Sequence, residues 1–171
     1  MVKMILAVAN KELKQLEEEK EYWSNKEKAS CVYTAAINEE PVIPDYNYID
    51  FARKMEDLDN KVMVIKHAVN LANVTNCVQV DGKTYTIDQL LIRMAQLSVR
   101  KKTLDNMRKQ LPKSRVVHAA YSARSAVSEY QYTNFDVDLI KVEYERISKE
   151  IMELQVTLDR FNQTVEIEVE I

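Results

Sequence analysis

Residues 137–161 read VDLIKVEYERISKEIMELQVTLDRF, and their spacing decides the fold class. Val137, Ile140, Tyr144, Ile147, Ile151, Leu154, Leu158 and Phe161 alternate steps of three and four without a miss. On a helix of 3.6 residues per turn this draws one continuous apolar seam, the pattern of helices that pack lengthwise on one another. The remaining faces are charged, and pairs four apart such as Arg146–Glu150 and Lys149–Glu153 support the helix surface.

Working back from that seam, residues 48–73 carry a second one: Phe51, Met55, Leu58, Val62, Ile65, Val69 and Ala72, with Asn47 or Asp50 as the cap. A third helix over 87–110 has Ile87, Leu90, Met94, Leu97, Leu104 and Leu111 in register, but Lys101 and Arg108 occupy two seam positions. Thr86 and Gln89 form a capping box at its start, and Pro112 stops it. A first helix over 3–36 keeps Leu6, Ala9, Leu13, Leu16 and Trp23 on one stripe, interrupted at Lys20 and Glu27. Pro41 and Pro44 mark the loop that follows. The last helix is capped by Asn134 or Asp136.

Between the second and third helices, two short β-prone runs, 77–80 and 83–85, flank Asp81-Gly82. Gly82 is the only glycine in the chain, and a tight hairpin turn requires the positive φ that glycine accepts. Residues 113–126 read as loop, and 127–133 alternate as a strand with Tyr130 and Tyr132 on one face, read as core. In residues 164–171, Val165, Ile167, Val169 and Ile171 alternate with three glutamates, so one face is apolar and one acidic. This strand is expected to pair with the hairpin or with 127–133, burying Ile167 and Val169. The expected architecture is mainly α: long antiparallel helices in a bundle or coiled coil, one domain of 171 residues, with a small β-sheet.

Composition narrows the chemistry. With 46% hydrophobic and 30% charged residues the chain is a folded, helix-rich protein rather than a disordered one. A net charge of −3 implies no polyionic partner by itself. Cys31 and Cys77 are too few for a disulfide framework, so a reducing, cytoplasmic setting is expected. The apolar start, Met4 to Ala9, is too short for a signal peptide and runs straight into a charged helix. A single glycine permits no phosphate-cradling loop, and neither His67 nor His118 stands at a metal-ligand or triad spacing. No cofactor, metal or small-molecule substrate is therefore expected, and no enzyme activity. The acidic run Glu17-Glu18-Glu19 with Glu21 reads as a solvated helix face.

The candidate contact residues are cationic: Arg100, Lys101, Lys102, Arg108, Lys109, Lys113 and Arg115, with Arg124 beyond them and only Asp105 opposing. Such a segment meets either an acidic surface of a second subunit or an anionic membrane or nucleic acid. The first is favoured, because the whole chain is slightly acidic and no nucleic-acid motif accompanies the segment. A non-enzymatic, self-assembling scaffold or interaction protein, working as a homo-oligomer, is the function expected.

Several short matches carry a family resemblance. They are Lys3-Met4 with Ala7 and Ala9, Asn70-x-x-Asn73 leading into Asp81-Gly82-Lys83-Thr84, Ser128-Glu129-Tyr130-Gln131-Tyr132 leading into Asp136-Val137-x-x-Ile140, and Asn162-x-Thr164. In this order they resemble the septicolysin-like family of small helical bacterial proteins. The pattern departs from that family at Met94-Ala95, where an Arg-Asp pair is expected. The resemblance implies a mainly helical bacterial protein and a cytolysin label, and it brings no catalytic residues to carry over.

Overall fold

A computed structural model describes residues 1–116 and 129–170. The fold is mainly α with small antiparallel sheets, as the seams require. In chain order it runs β1 (Val2–Ile5), α1 (Leu6–Ser30), α2 (Tyr48–Thr75), β2 (Cys77–Val80), β3 (Lys83–Thr86), α3 (Ile87–Arg108), β4 (Lys113–Arg115), β5 (Tyr130–Tyr132), α4 (Val137–Thr164) and β6 (Glu166–Val169). The strands pair as β1–β6, β2–β3 and β4–β5. His118, Arg124 and the expected strand positions 127–128 lie outside the described residues.

The chain divides into two compact units. One comprises Met1–Val78, Thr86–Asp88 and Asp159–Ile171; the other comprises Gln79–Tyr85 and Gln89–Leu158. In the first, α1 and α2 lie antiparallel. Glu19 meets Lys54 at 2.9 Å, Lys20 pairs with Asp59, and the Tyr46 hydroxyl donates to Glu27 at 2.9 Å. Their buried residues fall seven apart: Ala9 and Leu16 on α1, then Leu58, Ile65 and Ala72 on α2, with Leu6 and Val69 beside them. In the second unit α3 buries Leu90, Leu97 and Leu104, and α4 buries Ile140, Ile147 and Leu154. A repeat of seven on facing helices keeps each buried side chain opposite the same groove turn after turn.

Caps resolve the open choices. The Asn47 side chain accepts from the Ile49 and Asp50 amides at 2.9 and 3.5 Å, and Asp136 accepts from Asp138 and Leu139 at 2.9 and 3.2 Å. Each satisfies amides that the first helical turn leaves without partners. The hairpin turns on Asp81 and Gly82, with φ of 48° and 73°. Two successive positive φ values match the right-handed twist of the flanking strands.

Several local expectations are overturned. Residues 2–5 begin no helix; they form a strand against the other end of the chain, with Val2 opposite Val169 and Met4 opposite Ile167. The C-terminal strand therefore pairs with β1, and not with the hairpin or with residues 127–133. Only its choice of face stands as expected: Ile167 and Val169 are buried, and Glu166, Glu168 and Glu170 are exposed. The first helix ends at Ser30 instead of running to residue 36. Val32 and Tyr33 beyond it are exposed, so no burial compensates the low helix propensity of branched and aromatic residues. Lys113–Arg115, expected as loop, is strand β4. Leu111, placed on the third helix's stripe, is exposed because α3 stops at Arg108.

Two substitutions test this frame by urea denaturation of the full chain. Ile167→Lys buries an unpaired ammonium and is expected to cost about 3 kcal/mol or more. Glu168→Lys, at a side chain exposed to solvent and paired with Lys3 at 3.2 Å, is expected to cost about 1 kcal/mol at most. Gly82→Ala meets no atom within 4 Å of the added carbon, so its cost is the positive φ alone, about 1 kcal/mol.

Candidate functional site

The cationic segment spans the end of α3, a short connection and β4, and the structure divides it into two chemistries. On α3, Lys101 and Arg108 point along the seam after all. Both lie over the ring of Tyr144, the α4 seam residue, at 5.4 and 4.1 Å from its centroid. Both side chains are half-buried and their charged heads rest on the π-face, which is how a heptad position tolerates a cation.

Asp105 organises the same turn. It accepts from Arg108 Nε and Nη2 at 2.9 and 2.7 Å and pairs with Lys109. The Lys109 and Arg108 hydrogen bonds hold the Asp105 carboxyl below its ordinary value, and Asp105 in turn raises the Arg108 guanidinium. Further back, Arg100 acts at longer range on Glu143, whose carboxyl is lowered chiefly by its hydrogen bond to Arg146. Arg146 also reaches Glu150 at 3.1 Å, and Glu150 takes Arg93 of α3 at 2.9 and 2.6 Å. Lys101 and Lys102 make no ion pair among the described residues, and Lys102 is exposed.

Lys113 and Arg115 stand differently. In the antiparallel β4–β5 ribbon Lys113 is opposite Tyr132 and Arg115 opposite Tyr130. Positions two apart on a strand, and positions directly across, share a face, so all four side chains lie on one side of the ribbon. The Lys113 ammonium lies 4.3 Å from the Tyr130 centroid and 5.5 Å from that of Tyr132. The ribbon is extended at both ends by Val116 N–H to Glu129 O at 2.9 Å and Thr133 N–H to Pro112 O at 3.2 Å.

Tyr130 and Tyr132 are 45% and 63% exposed, which corrects the expectation that they are core. Their i, i+2 spacing was readable; that β5 is exposed on both faces was not. Thus Arg100, Lys101, Lys102, Arg108 and Lys109 serve one helix and Lys113 and Arg115 a separate aromatic ribbon. His67 is exposed on α2, and among the described residues no group of three His, Cys, Asp or Glu is placed to hold a metal ion. No helix of the described residues is long and apolar enough to cross a membrane.

No family model and no curated protein matches the chain. Among solved structures it is similar to a functionally unknown conserved protein from Corynebacterium diphtheriae, with a TM-score of 0.72 and 15% sequence identity. The match covers 98% of this chain and 100% of that one. At this identity the likeness shows the fold alone.

The Asp105 cluster has a definite acid limb. Because the folded carboxyl is lowered, its stabilisation is present above the ordinary value of 3.8 and is lost as pH falls through the folded value. Asp105→Asn is expected to be less stable than the parent at neutral pH, with the gap closing in acid well below 3.8. Urea midpoints at the two pH values measure it; a gap that persists in acid removes the ionic explanation.

Proposed function

We propose that this chain is a non-enzymatic interaction protein that assembles with copies of itself. The observation that carries the reading is an apolar surface in the unit built on α1 and α2. Met63, Leu71 and Val74 are 62%, 54% and 53% exposed, and with His67 they recur at helical spacing along one face of α2. Beside them Met1, Val64, Ala68 and Val169 line a groove of about 620 Å³. An exposed stripe of large side chains is unfavourable in water unless something covers it, and a contiguous apolar patch marks an interaction surface.

A second copy supplies a matching surface, since a two-fold contact requires the same patch on both partners. The rim supports it as well. Glu168 and Glu170 border the groove, and Lys66 stands exposed on the same helix, so opposite charges are available around an apolar centre. Free, exposed thiols at Cys31 and Cys77 favour a cytoplasmic setting for such an assembly. The septicolysin-like resemblance implies a mainly helical bacterial protein, its cytolysin label would instead accommodate a binder of anionic membrane, and it adds no catalytic group.

Solution mass tests the proposal. The parent chain is expected to sediment as a dimer or larger, and Leu71→Lys with Met63→Lys to sediment as a monomer with unchanged helix content. A parent that stays monomeric at the highest soluble concentration overturns the reading, and so does a doubly substituted chain that keeps the parent mass.

A further inference from the structure

We propose that the exposed face of the β4–β5 ribbon binds single-stranded nucleic acid, with Tyr130 and Tyr132 stacking on bases and Lys113 and Arg115 meeting phosphates. This is independent of self-assembly and rests on different residues. The register places the four side chains on one face of a two-stranded ribbon, two cations on one strand and two aromatic rings on the other. Both tyrosines are largely exposed, and Lys113 and Arg115 are exposed as well. Each ring joins a broad apolar face to a polar hydroxyl, so an exposed pair on one side of a ribbon offers two faces for stacking.

The ring positions suit a strand of unstacked bases. Residues i and i+2 on one strand lie roughly 6.6 Å apart, which is on the scale of successive nucleotides in an extended single strand. Every base offers a π-face, so two tyrosines at that spacing form a stacking platform without sequence preference. The opposite strand adds cations at the same spacing, where a phosphate backbone running beside the bases would lie. Lys113 over both rings shows that these π-faces already take a cation, and a phosphate draws that ammonium outward while leaving the rings open.

The composition of the face separates this from a lipid surface. Its four positions are Lys, Arg, Tyr and Tyr, with no aliphatic side chain to enter an acyl layer. A duplex is also a poorer fit, because its bases are stacked on each other and expose no ring face.

Fluorescence polarisation with the full chain decides among these, using labelled oligothymidine and oligouridine, a mixed-sequence duplex of the same length, and phosphatidylserine vesicles. The single strands are expected to bind best at low salt. Joint replacement Tyr130→Ala and Tyr132→Ala should weaken them about ten-fold or more. Replacing both by Phe, which keeps the rings, should preserve affinity and so excludes a mere folding defect. Lys113→Ala and Arg115→Ala should each reduce the slope of log affinity against log salt by roughly 0.7. The inference is overturned by single-strand binding that survives loss of both rings, by preference for the duplex, by binding to vesicles alone, or by no binding to either single strand at low salt.

Discussion

The pairing of the two chain ends is the constraint on which the first unit depends. β1 and β6 exchange backbone hydrogen bonds over Val2–Ile5 and Glu166–Val169, and the first amide of α1, Leu6 N–H, donates to Val165 O at 3.0 Å. That bond does the work of a cap: Ile5, at the cap position of α1, offers no side-chain acceptor. Val165 N–H in turn donates to Phe161 O at 3.0 Å, so the exit of α4 and the entry of α1 are fixed at one point. Around it Leu6, Phe161, Ile167 and Val169 are all buried. A strand of four residues is unstable by itself, and here the apolar face of the sheet and the helix ends hold each other in place.

The second unit rests on a different compromise. Its helices share a seam of leucines and isoleucines seven apart, yet the seam includes cations and carboxylates. Lys101 and Arg108 fit because Tyr144 offers a ring to lie on, and Arg108 is held there by two bonds to Asp105. Arg93 and Glu150 join α3 to α4 through two hydrogen bonds to one oxygen, and Glu150 is shared with Arg146. Such half-exposed pairs add little stability individually. Their geometric effect is larger: the leucines would pack nearly as well in several registers, whereas a cation over a ring and a guanidinium on a carboxylate favour one.

What was legible follows from the range of the interactions involved. The seams of α2, α3 and α4 repeat many times within one segment, so their period alone identifies them. The cap at Asn47, the cap at Asp136 and the turn at Asp81-Gly82 are likewise local. β1 was not legible because four residues, Val-Lys-Met-Ile, carry no distinguishing period, and what makes them a strand lies at the far end of the chain. β4 is the same case: Lys-Ser-Arg has no β pattern until Tyr-Gln-Tyr lies beside it. Both misreadings are of contacts distant in sequence, where tertiary pairing overrides local preference.

The cationic segment shows how the same limit bears on function. A count of charges treats Arg108 and Lys113 alike, yet the structure gives them opposite roles. Arg108 is bound to Asp105 and laid over a helix-borne tyrosine, so displacing it would sacrifice interactions that hold α3 and α4 in register. Lys113 lies over two rings that solvent already reaches, with no carboxylate paired to it among the described residues, so its charge can move to a ligand at small cost. Net charge therefore overstates what the segment can offer a partner. What decides it is whether a given cation is already committed inside the fold, and on that measure the Lys113 ammonium can move to an anion at smaller cost than the Arg108 guanidinium.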